Sequence, residues 1–397
     1  MSWAVLEPSD FPWFDYSRYS FSLGLATGAW TFLSGHTASR YDARAGGIVV
    51  RGGMAEQTRT AYAKADAILA ANGQGLSDVV RVVEYVSPRG VECYEEAASV
   101  RTELFGEWRP AVCTTPVRAL LRPDALIEVE VVAAPRAGGP EARPEAARVP
   151  GAGGACREAG GIVYLPSLEA VDEGGTIIGA SDLVAQIEAI YDRAEAMLSG
   201  LGLGLDRVVH TVDYVSPGGI PEYKRTAAVR RARLGPVYPA STGIFVPRLM
   251  HPEALIRVGL IASRASPVRI DPGWPYFEKL TFSPGVKAGD MLYLSGQGAI
   301  DPNNGEVVGK GDVAAQADFI YRNIVSVVQC AGGGAGDLVK TIEYTTPAAG
   351  PGYRQVASVR SRLLSEPLPV STGPICDALV RPEMLIEIDA CAVLGAV

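Results

Sequence analysis

One sequence pattern recurs three times along the chain, at intervals of about 130 residues. Its most regular part reads RPDALIEVEVVAA at 122–134, HPEALIRVGLIAS at 251–263 and RPEMLIEIDACAV at 381–393. Four upstream series recur with steps of 129 and then 130 residues: Gln57, Gln186 and Gln316; Tyr62, Tyr191 and Tyr321; Tyr85, Tyr214 and Tyr344; Arg101, Arg230 and Arg360. Because chance does not preserve register over such distances, the sequence predicts a triplicated domain, in which one chain supplies a threefold assembly.

Three repeats and two linkers follow from this register. The repeats are predicted at residues 1–136, 154–263 and 275–397, and the linkers at residues 137–153 and 264–274. Units of this length lie in the usual size range of a domain. Both linkers lack apolar periodicity, so we expect both to run over the surface.

Each repeat shows the same order of predicted elements. Two short strands come first, as in FSPGVKAG and MLYLSGQGA of repeat 3, and a long amphipathic helix follows. A β-rich run, a second helix and two closing strands complete the unit. In repeat 2 the first strand is eroded, and no equivalent of it can be assigned.

This β-β-α-β-α-β-β order predicts an α+β fold with a single sheet that carries both helices on one face. The other face is also largely apolar, and we expect the neighbouring repeats to cover it. The chain is therefore predicted to close on itself as an intramolecular pseudo-trimer. Ligand sites are expected at the seams between repeats, because domain interfaces often contain them.

Composition narrows the possible classes of function. A hydrophobic content of 48% is ample for buried cores, and the net charge of −8 argues against nucleic acid or an anionic membrane as a partner. No apolar stretch approaches the ~20 residues of a membrane helix. Six cysteines are scattered without a CxxC pair, and the N-terminus lacks the features of a signal peptide, so we expect reduced thiols and a cytoplasmic protein.

Two motifs resemble the Rid/YjgF family of reactive-intermediate (enamine/imine) deaminases. They are LSGQGAIDPNNGEVVGKGDVAAQ at 294–316 and the closing RP-x-x-LIE segment, and the resemblance spans all three repeats. It implies chorismate-mutase-like domains that usually form homotrimers with ligand clefts between protomers, and a fused trimer in this chain. It also implies a small-molecule substrate and no cofactor. Whether such pseudo-trimers pair further is left open.

The chain departs from the family pattern at the residue that holds the substrate carboxylate. Deaminating members carry an arginine in a Pro-Ala-Arg motif, and the equivalent positions here are Val112, Ser241 and Ser371. Neither Val nor Ser can replace a bidentate, charge-assisted clamp, which argues against classical deamination of 2-imino acids at every cleft. The tyrosine that the family places before its first strand aligns with Phe21 and Phe282, which lack a hydroxyl.

The glutamate of the family's LIE motif positions a water, and by resemblance Glu128 and Glu387 take this role. Repeat 2 has Arg257 instead, so the three clefts differ chemically. A partly buried carboxylate with a raised pKa suits a general base. The alternative is a solvated or ion-paired strand residue.

Several polar residues near the lost arginine are candidates for binding the substrate. Ser241 and Thr242, Ser371 and Thr372, and in repeat 1 Cys113 and Thr114, can hydrogen-bond a carbonyl, hydroxyl or phosphate oxygen; the alternative is a polar strand edge. In repeat 1, His36 follows Ser34 and Gly35. At the equivalent place in repeat 3, Gln297 follows Ser295 and Gly296. His36 is a candidate acid or base, although a lone histidine is more often structural.

Two charged series recur in every repeat. Glu84, Asp213 and Glu343 either line a seam or hydrogen-bond structurally, and alternation along the strand puts Glu84 opposite to Tyr85. Arg101, Arg230 and Arg360 follow a tyrosine by seven residues on the second helix, which places each pair on one face. Each arginine either binds an anionic substrate or anchors a carboxylate of a neighbouring repeat.

These patterns predict a cofactor-independent enzyme that acts on a small imine-like, enamine-like or carbonyl metabolite by hydrolysis, deamination or proton transfer. The alternative is a non-catalytic protein that holds a small metabolite in a seam. RNA cleavage fits the acidic charge badly, and no cluster has metal-ligand spacing. The candidate catalytic residues are Glu387, Glu128 and His36. The candidate substrate-binding residues are Phe21, Arg101, Cys113, Thr114, Arg230, Ser241, Thr242, Phe282, Ser295, Gly296, Arg360, Ser371 and Thr372.

Overall fold

The computed structural model describes residues 3–17, 19–134 and 155–395. The predicted linker 137–153 therefore lies outside the described residues. Three large mixed sheets carry the long helices, one sheet for each repeat, and the fold class is α+β as predicted from the sequence.

Repeat 1 forms a six-stranded sheet with the order β1-β2-β3-β8-β6-β7. Neighbouring strands are antiparallel except β6 and β7, which are parallel. A separate small hairpin, β4–β5, lies along the chain between β3 and the long helix α1. The elements are β1 Ala4–Val5, β2 Gly24–Ala26, β3 Thr31–Leu33, β4 Arg40–Asp42, β5 Gly47–Val49, α1 Met54–Ala70, β6 Val79–Val86, α2 Pro88–Val91, α3 Tyr94–Phe105, β7 Ala111–Pro116 and β8 Ile127–Ala133.

Repeat 2 forms a five-stranded sheet with the order β12-β11-β13-β10-β9. The expectation that its first strand is missing is corrected, because β9 and β10 form a short hairpin that pairs with β13. Each strand of this hairpin has only three residues, too few to show a clear alternation in the sequence. The elements are β9 Arg157–Ala159, β10 Ile162–Tyr164, α4 Leu183–Ser199, β11 Val208–Val215, α5 Thr226–Arg233, β12 Ala240–Phe245 and β13 Ile256–Ser263.

Repeat 3 repeats the strand order of repeat 1, as β14-β15-β16-β19-β17-β18. Its edge strand β14 lies inside the stretch 264–274 that was predicted as a linker, so part of that linker is a strand paired with β15. The elements are β14 Val268–Ile270, β15 Gly285–Ala288, β16 Met291–Gly298, α6 Val313–Cys330, β17 Leu338–Thr345, α7 Val356–Leu363, β18 Val370–Thr372 and β19 Ile386–Val393.

The recurring glutamines tie each long helix to the strand that closes its sheet. The side-chain oxygen of Gln57 in α1 accepts the amide N–H of Leu126 over 2.8 Å. Gln186 and Gln316 accept the equivalent amides over 2.8 and 2.7 Å. A buried amide needs a hydrogen-bond partner, which explains why a polar residue recurs on the apolar face of these helices.

Each sheet is buried on both faces, because the helices cover one face and the other two repeats cover the other. Strand β6, which pairs with β7 and β8, is buried at all eight positions. Tyr85 on this strand meets Tyr214 and Tyr344 at the centre of the three sheets, where the Tyr344 hydroxyl lies 2.9 Å from that of Tyr214 and 3.3 Å from that of Tyr85. Two buried apolar clusters combine side chains from all three repeats, and one of them contains these three tyrosines.

All six cysteines are free thiols. Among the described residues, no helix combines the length and the apolar character that crossing a membrane requires.

Candidate functional site

The repeats meet along three seams, where the end of the second hairpin strand of one repeat contacts the parallel edge strand of another. In the seam between repeats 1 and 3 (the 1–3 seam), Gly35 N–H donates to the Ser371 carbonyl over 3.3 Å, and Ser371 N–H donates to Ser34 Oγ over 2.9 Å. In the 2–3 seam, Ser241 N–H donates to Ser295 Oγ over 2.8 Å. The two seams therefore share one serine-mediated contact.

Glu128 lies in the 1–3 seam and is 6% exposed. Its carboxylate sits over the backbone of Gly35, where a β-carbon would come within 2.6 Å of both Oε1 and Thr372 Cγ2. Glu128 Oε2 has no partner among the described residues. Burial, and then the charge of Glu130, raise the pKa of Glu128 to about 7 against the opposing charge of Arg122.

Glu387 occupies the same place in the 2–3 seam and is 4% exposed. A β-carbon on Gly296 would collide with its Oε1, and Gly296 N–H donates to Thr242 Oγ1 over 3.0 Å. Burial raises the pKa of Glu387 to about 8, although a hydrogen bond from the Gly243 backbone opposes the shift; the charge of Asp389 adds to it. Both carboxyls can therefore exchange a proton near neutral pH.

The 1–2 seam carries an ion pair instead of a free carboxyl. Arg257 Nε donates to Ser167 Oγ over 2.7 Å, and its Nη1 lies 3.2 Å from Glu169 Oε1. Ser167 N–H donates to the Val112 carbonyl over 3.1 Å, so this seam is closed by the same kind of backbone contact. A neutralised arginine offers no general base, so the 1–2 seam differs in chemistry from the two seams that carry a glutamate without an ion pair.

The threonine hydroxyls beside the two glutamates are already bonded to a second acid on the same strand. Thr372 Oγ1 donates to Glu130 Oε2 over 2.8 Å, and Thr242 Oγ1 donates to Asp389 Oδ2 over 2.5 Å. The Ser241 hydroxyl accepts a hydrogen bond from Thr211 over 3.0 Å. These side chains shape the seams, and among them only the Ser371 hydroxyl has no hydrogen bond with another described residue.

Arg101, predicted as a substrate ligand or as a contact to another repeat, bonds a carboxylate of its own repeat. Its Nη1 lies 2.7 Å from each oxygen of the fully buried Glu84. The hydroxyls of Tyr62, Tyr94 and Thr114 lie 2.9, 2.6 and 3.1 Å from the same carboxylate. Burial opposes ionisation, but the charge of Arg101 and these hydrogen bonds hold the pKa of Glu84 below its usual value.

The same correction applies to the other two arginines. Arg230 pairs with Asp213, and Arg360 Nη1 lies 2.6 Å from Glu343 Oε1, in both cases within one repeat. Arg360 also donates to Ser20 Oγ across the 1–3 seam over 2.9 Å. The acidic series therefore has the structural role, and the arginines neutralise it on the helix side of each sheet.

His36 is placed apart from Glu128. Its backbone forms an isolated antiparallel bridge with that of Val129, whose side chain lies in the core on the helix side of the sheet. Because directly opposed residues of paired strands point to the same face, the His36 side chain also points to the helix side. Burial, and then the charge of Lys64, lower the pKa of His36 to about 3, so the ring is neutral near pH 7. Its ring centroid lies 6.3 Å from that of Phe11. The geometry does not bring His36, a candidate acid or base, next to the Glu128 carboxyl.

Three other candidates lie at the edges of the seams or at the centre. Phe21 stacks on Tyr19 with centroids 5.0 Å apart, and Phe282 meets Phe277 edge-on at 5.6 Å, both half-buried. Cys113 is buried at the centre of the three sheets. The two phenylalanines thus lie in aromatic contacts within their own repeats, and Cys113 belongs to the central apolar cluster.

Lys64 and Arg122 were missed in the sequence. Lys64 Nζ is buried, donates to the Thr37 carbonyl over 2.7 Å and lies 4.8 Å from the Phe14 ring centroid. Burial, and then the charge of Arg122, lower the pKa of Lys64 to about 7, while Glu128 opposes the shift. A lysine on the apolar face of α1, seven residues after Gln57, was the available signal.

Comparison with known proteins matches two of the three repeats to a family model. Residues 16–135 and 278–394 match the family described as endoribonuclease L-PSP. The matched stretches carry Glu128 and Glu387, whereas the unmatched middle carries Arg257. The family signal is therefore found where the seam carboxyl is present.

Individual proteins give the same family. A RutC family protein of Pyrococcus horikoshii is 31% identical over 111 residues, which cover 28% of this chain and 85% of that protein. The Escherichia coli 2-iminobutanoate/2-iminopropanoate deaminase is 38% identical over 81 residues, 20% of this chain and 55% of the deaminase. A chorismatase crystal structure matches in fold with a TM-score of 0.50 at 17% identity, over 80% of this chain and 93% of that one. The chain belongs to the endoribonuclease L-PSP family, which is the Rid/YjgF family indicated by its sequence motifs.

Proposed function

We propose that this protein is a cofactor-independent enzyme that uses Glu128, and in a second site Glu387, for general acid–base catalysis on a small imine, enamine or carbonyl compound. The observation that supports this most strongly is that two seams each bury one carboxyl with a raised pKa. The pKa is about 7 for Glu128 and about 8 for Glu387. A general base is most effective when its pKa lies near the working pH.

The 1–3 seam is the better candidate of the two. Glu128 Oε2 is free to accept a proton, whereas Glu387 accepts a hydrogen bond from the Gly243 backbone. The positive charge of Arg122 acts on Glu128, and Arg122 forms no ion pair with another described residue. We propose that Arg122 attracts an anionic group of the substrate in place of the arginine that the chain lacks.

The proposed reaction is the hydrolysis of a C=N bond. Glu128 takes a proton from water while the water oxygen forms a bond to the imine carbon. The resulting carboxylic acid then returns the proton to nitrogen, which gives a carbinolamine. Glu128 next carries the proton of the carbinolamine hydroxyl to nitrogen, the C–N bond breaks as the C=O bond forms, and ammonia and a carbonyl compound leave. Atoms and charge balance with water as the only co-reactant, so no cofactor is required.

We also propose that the three repeats, within the bounds 1–136, 154–263 and 275–397, form an intramolecular counterpart of a trimer. The support is the central contact of Tyr85, Tyr214 and Tyr344, and the seam contacts that each pair of repeats makes. Fusion in one chain allows the seams to diverge, which a homotrimer cannot do. The Arg257–Glu169 pair in the 1–2 seam is such a divergence.

Release of ammonia from a panel of imino acids, generated in place by an amino-acid oxidase, tests the proposal. We expect Glu128→Gln to lower the rate by about 10²–10⁴-fold, Glu387→Gln to lower it less, and the exposed control Glu107→Gln to leave it unchanged. Acceleration that survives both seam substitutions together contradicts the proposed base.

The second candidate function is metabolite binding without catalysis. It is favoured by the near-complete burial of both carboxyls. In this case no substrate of the panel releases ammonia, while calorimetric binding of a small metabolite depends on the seam residues.

A further inference from the structure

A ring of charged side chains surrounds the centre of the three sheets, and one position in it is incomplete. Three basic side chains stand at equivalent places on β6, β11 and β17: Arg81, His210 and Lys340. Lys340 pairs with Glu130 of β8, and His210 Nε2 lies 2.9 Å from Asp389 Oδ2 of β19. Each of these two basic side chains therefore meets an acid from another repeat.

The third acid is replaced by a glycine. Gly259 on β13 occupies the position of Glu130 and Asp389, at the same steps of 129 and 130 residues. A β-carbon built on Gly259 would lie 3.9 Å from Arg81 Nη2 and 3.9 Å from Cys113 Sγ. The space that a carboxylate would fill therefore adjoins the guanidinium.

Arg81 has no carboxylate partner among the described residues, although it is only 8% exposed. Its Nε lacks a hydrogen-bond acceptor, and Nη2 is 4.0 Å from Cys113 Sγ. The guanidinium carbon lies 5.7 Å from the Tyr164 ring centroid. A buried charge without a partner is costly, so a counter-ion at this place stabilises the fold.

The two acids of the ring are not available to Arg81, because each already has two partners. Glu130 accepts from Lys340 and Thr372, and Asp389 accepts from His210 and Thr242. Cys113 takes the place of the two threonines, so the hydroxyl that would hold a third acid is missing together with the acid. The 1–2 part of the ring has lost both groups and kept the cation.

A cavity of about 30 Å³ adjoins this cation. Its lining includes Arg81, Tyr164, Tyr214 and Tyr293, together with His210, Lys340 and Asp389 of the other two parts of the ring. A water needs about 10–15 Å³ of such volume, so the space suits an ion or molecule of very few atoms. Larger organic acids do not fit.

We propose that Arg81 and the space beside Gly259 bind a small monovalent anion of the size of chloride or formate. The anion stands where Glu130 and Asp389 stand in the other two parts of the ring, and it stabilises the contact between repeats 1 and 2. This site is separate from the carboxyls of the 1–3 and 2–3 seams.

The test compares thermal unfolding in sodium chloride with that in sodium gluconate, which is too large for the cavity, at equal ionic strength. For the full chain we expect Tm to rise with the logarithm of chloride concentration. Gly259→Asp supplies the missing carboxylate, so we expect it to raise Tm in gluconate and to remove the chloride effect. Gly259→Ala adds only an ordinary contact and should keep the chloride effect.

Anomalous diffraction from crystals soaked in sodium bromide locates the ion directly. A bromide peak beside the Arg81 guanidinium that is absent in Gly259→Asp supports the site. No peak there, equal Tm values in the two salts, or a chloride effect that persists in Arg81→Met overturns the proposal. If Gly259→Asp does not fold, the wild-type bromide peak and the Arg81→Met comparison decide.

Discussion

Glu387 lies directly over the backbone of Gly296, so closely that a β-carbon there would collide with carboxylate oxygen Oε1. The same relationship joins Glu128 to Gly35 in the 1–3 seam. Because glycine has no β-carbon at this place, the carboxylate can lie buried in the seam. This burial raises the pKa of the carboxylate. The glycine therefore helps to set the proton affinity of the proposed base.

We predict that Gly35→Ala displaces the Glu128 carboxylate and lowers the activity of the 1–3 seam at least tenfold. Overpacking of this kind costs about 1–3 kcal/mol of stability. Steady-state kinetics and thermal unfolding measure the two effects. Gly47→Ala is the matched control, because a β-carbon on Gly47 has no neighbour within 4 Å. Unchanged activity in Gly35→Ala would contradict the role given to this close approach.

The raised pKa of Glu387 predicts a pH-dependent stability. The folded protein holds this proton up to about pH 8, whereas the unfolded chain loses it near pH 4.5. The unfolded state therefore binds fewer protons between these values, and stability falls as pH rises through this window. Relative to Glu387→Gln, we expect the wild type to lose on the order of 5 kcal/mol, since one pKa unit corresponds to about 1.4 kcal/mol.

Denaturant unfolding of both proteins between pH 4 and 9 measures this difference. His36 and Lys64 titrate with the opposite sign, because burial lowers their pKa values. They do so equally in both proteins, so the difference isolates Glu387. A difference that is constant with pH would show that Glu387 is not held in its protonated form.

Arg360 is predicted to act on stability rather than on substrate affinity. Replacing it with Met leaves the buried Glu343 carboxylate without its cation, which costs about 3–5 kcal/mol. Arg354→Met, on an exposed side chain of the same segment, should leave Tm unchanged. If Arg360→Met instead raised KM at unchanged Tm, the arginine would belong to the substrate site.

The central tyrosine contact is predicted to couple the three repeats. Tyr344→Phe removes hydrogen bonds to Tyr214 and Tyr85 and should lower stability by about 1–3 kcal/mol. Tyr344→Phe and Tyr214→Phe should be non-additive, because they break one shared bond. The exposed Tyr41→Phe serves as the control. Additive effects in the double-mutant cycle would contradict the coupling.

The repeated register was sufficient to predict the α+β fold class and the glutamates on the closing strands of repeats 1 and 3, with Arg257 in their place in repeat 2. It predicted Glu84 and Tyr85 on opposite faces because strand alternation is local. It did not predict the partner of Arg101, since that depends on how the second helix lies across the sheet. The β9–β10 hairpin was missed because three-residue strands carry too little pattern.

The orientation of the His36 side chain could not be predicted from the sequence for a different reason. Phe32 pairs with Val132, but His36 pairs with Val129, so the register shifts by one residue between them. A shift of this kind reverses which face the following side chains occupy. Nothing in the sequence marks the bulge, and the same irregularity lies between Leu294 and Gln297 in repeat 3.

The proton affinity of the two seam carboxyls tests the account most directly. Carbon-13 NMR of protein labelled at the glutamate side-chain carboxyl, with Glu128→Gln and Glu387→Gln used for assignment, follows each titration. The account predicts midpoints near pH 7 for Glu128 and near pH 8 for Glu387. Midpoints near pH 4.5 for both would mean that the seams leave these carboxyls in water, and the proposed acid–base chemistry would lose its basis.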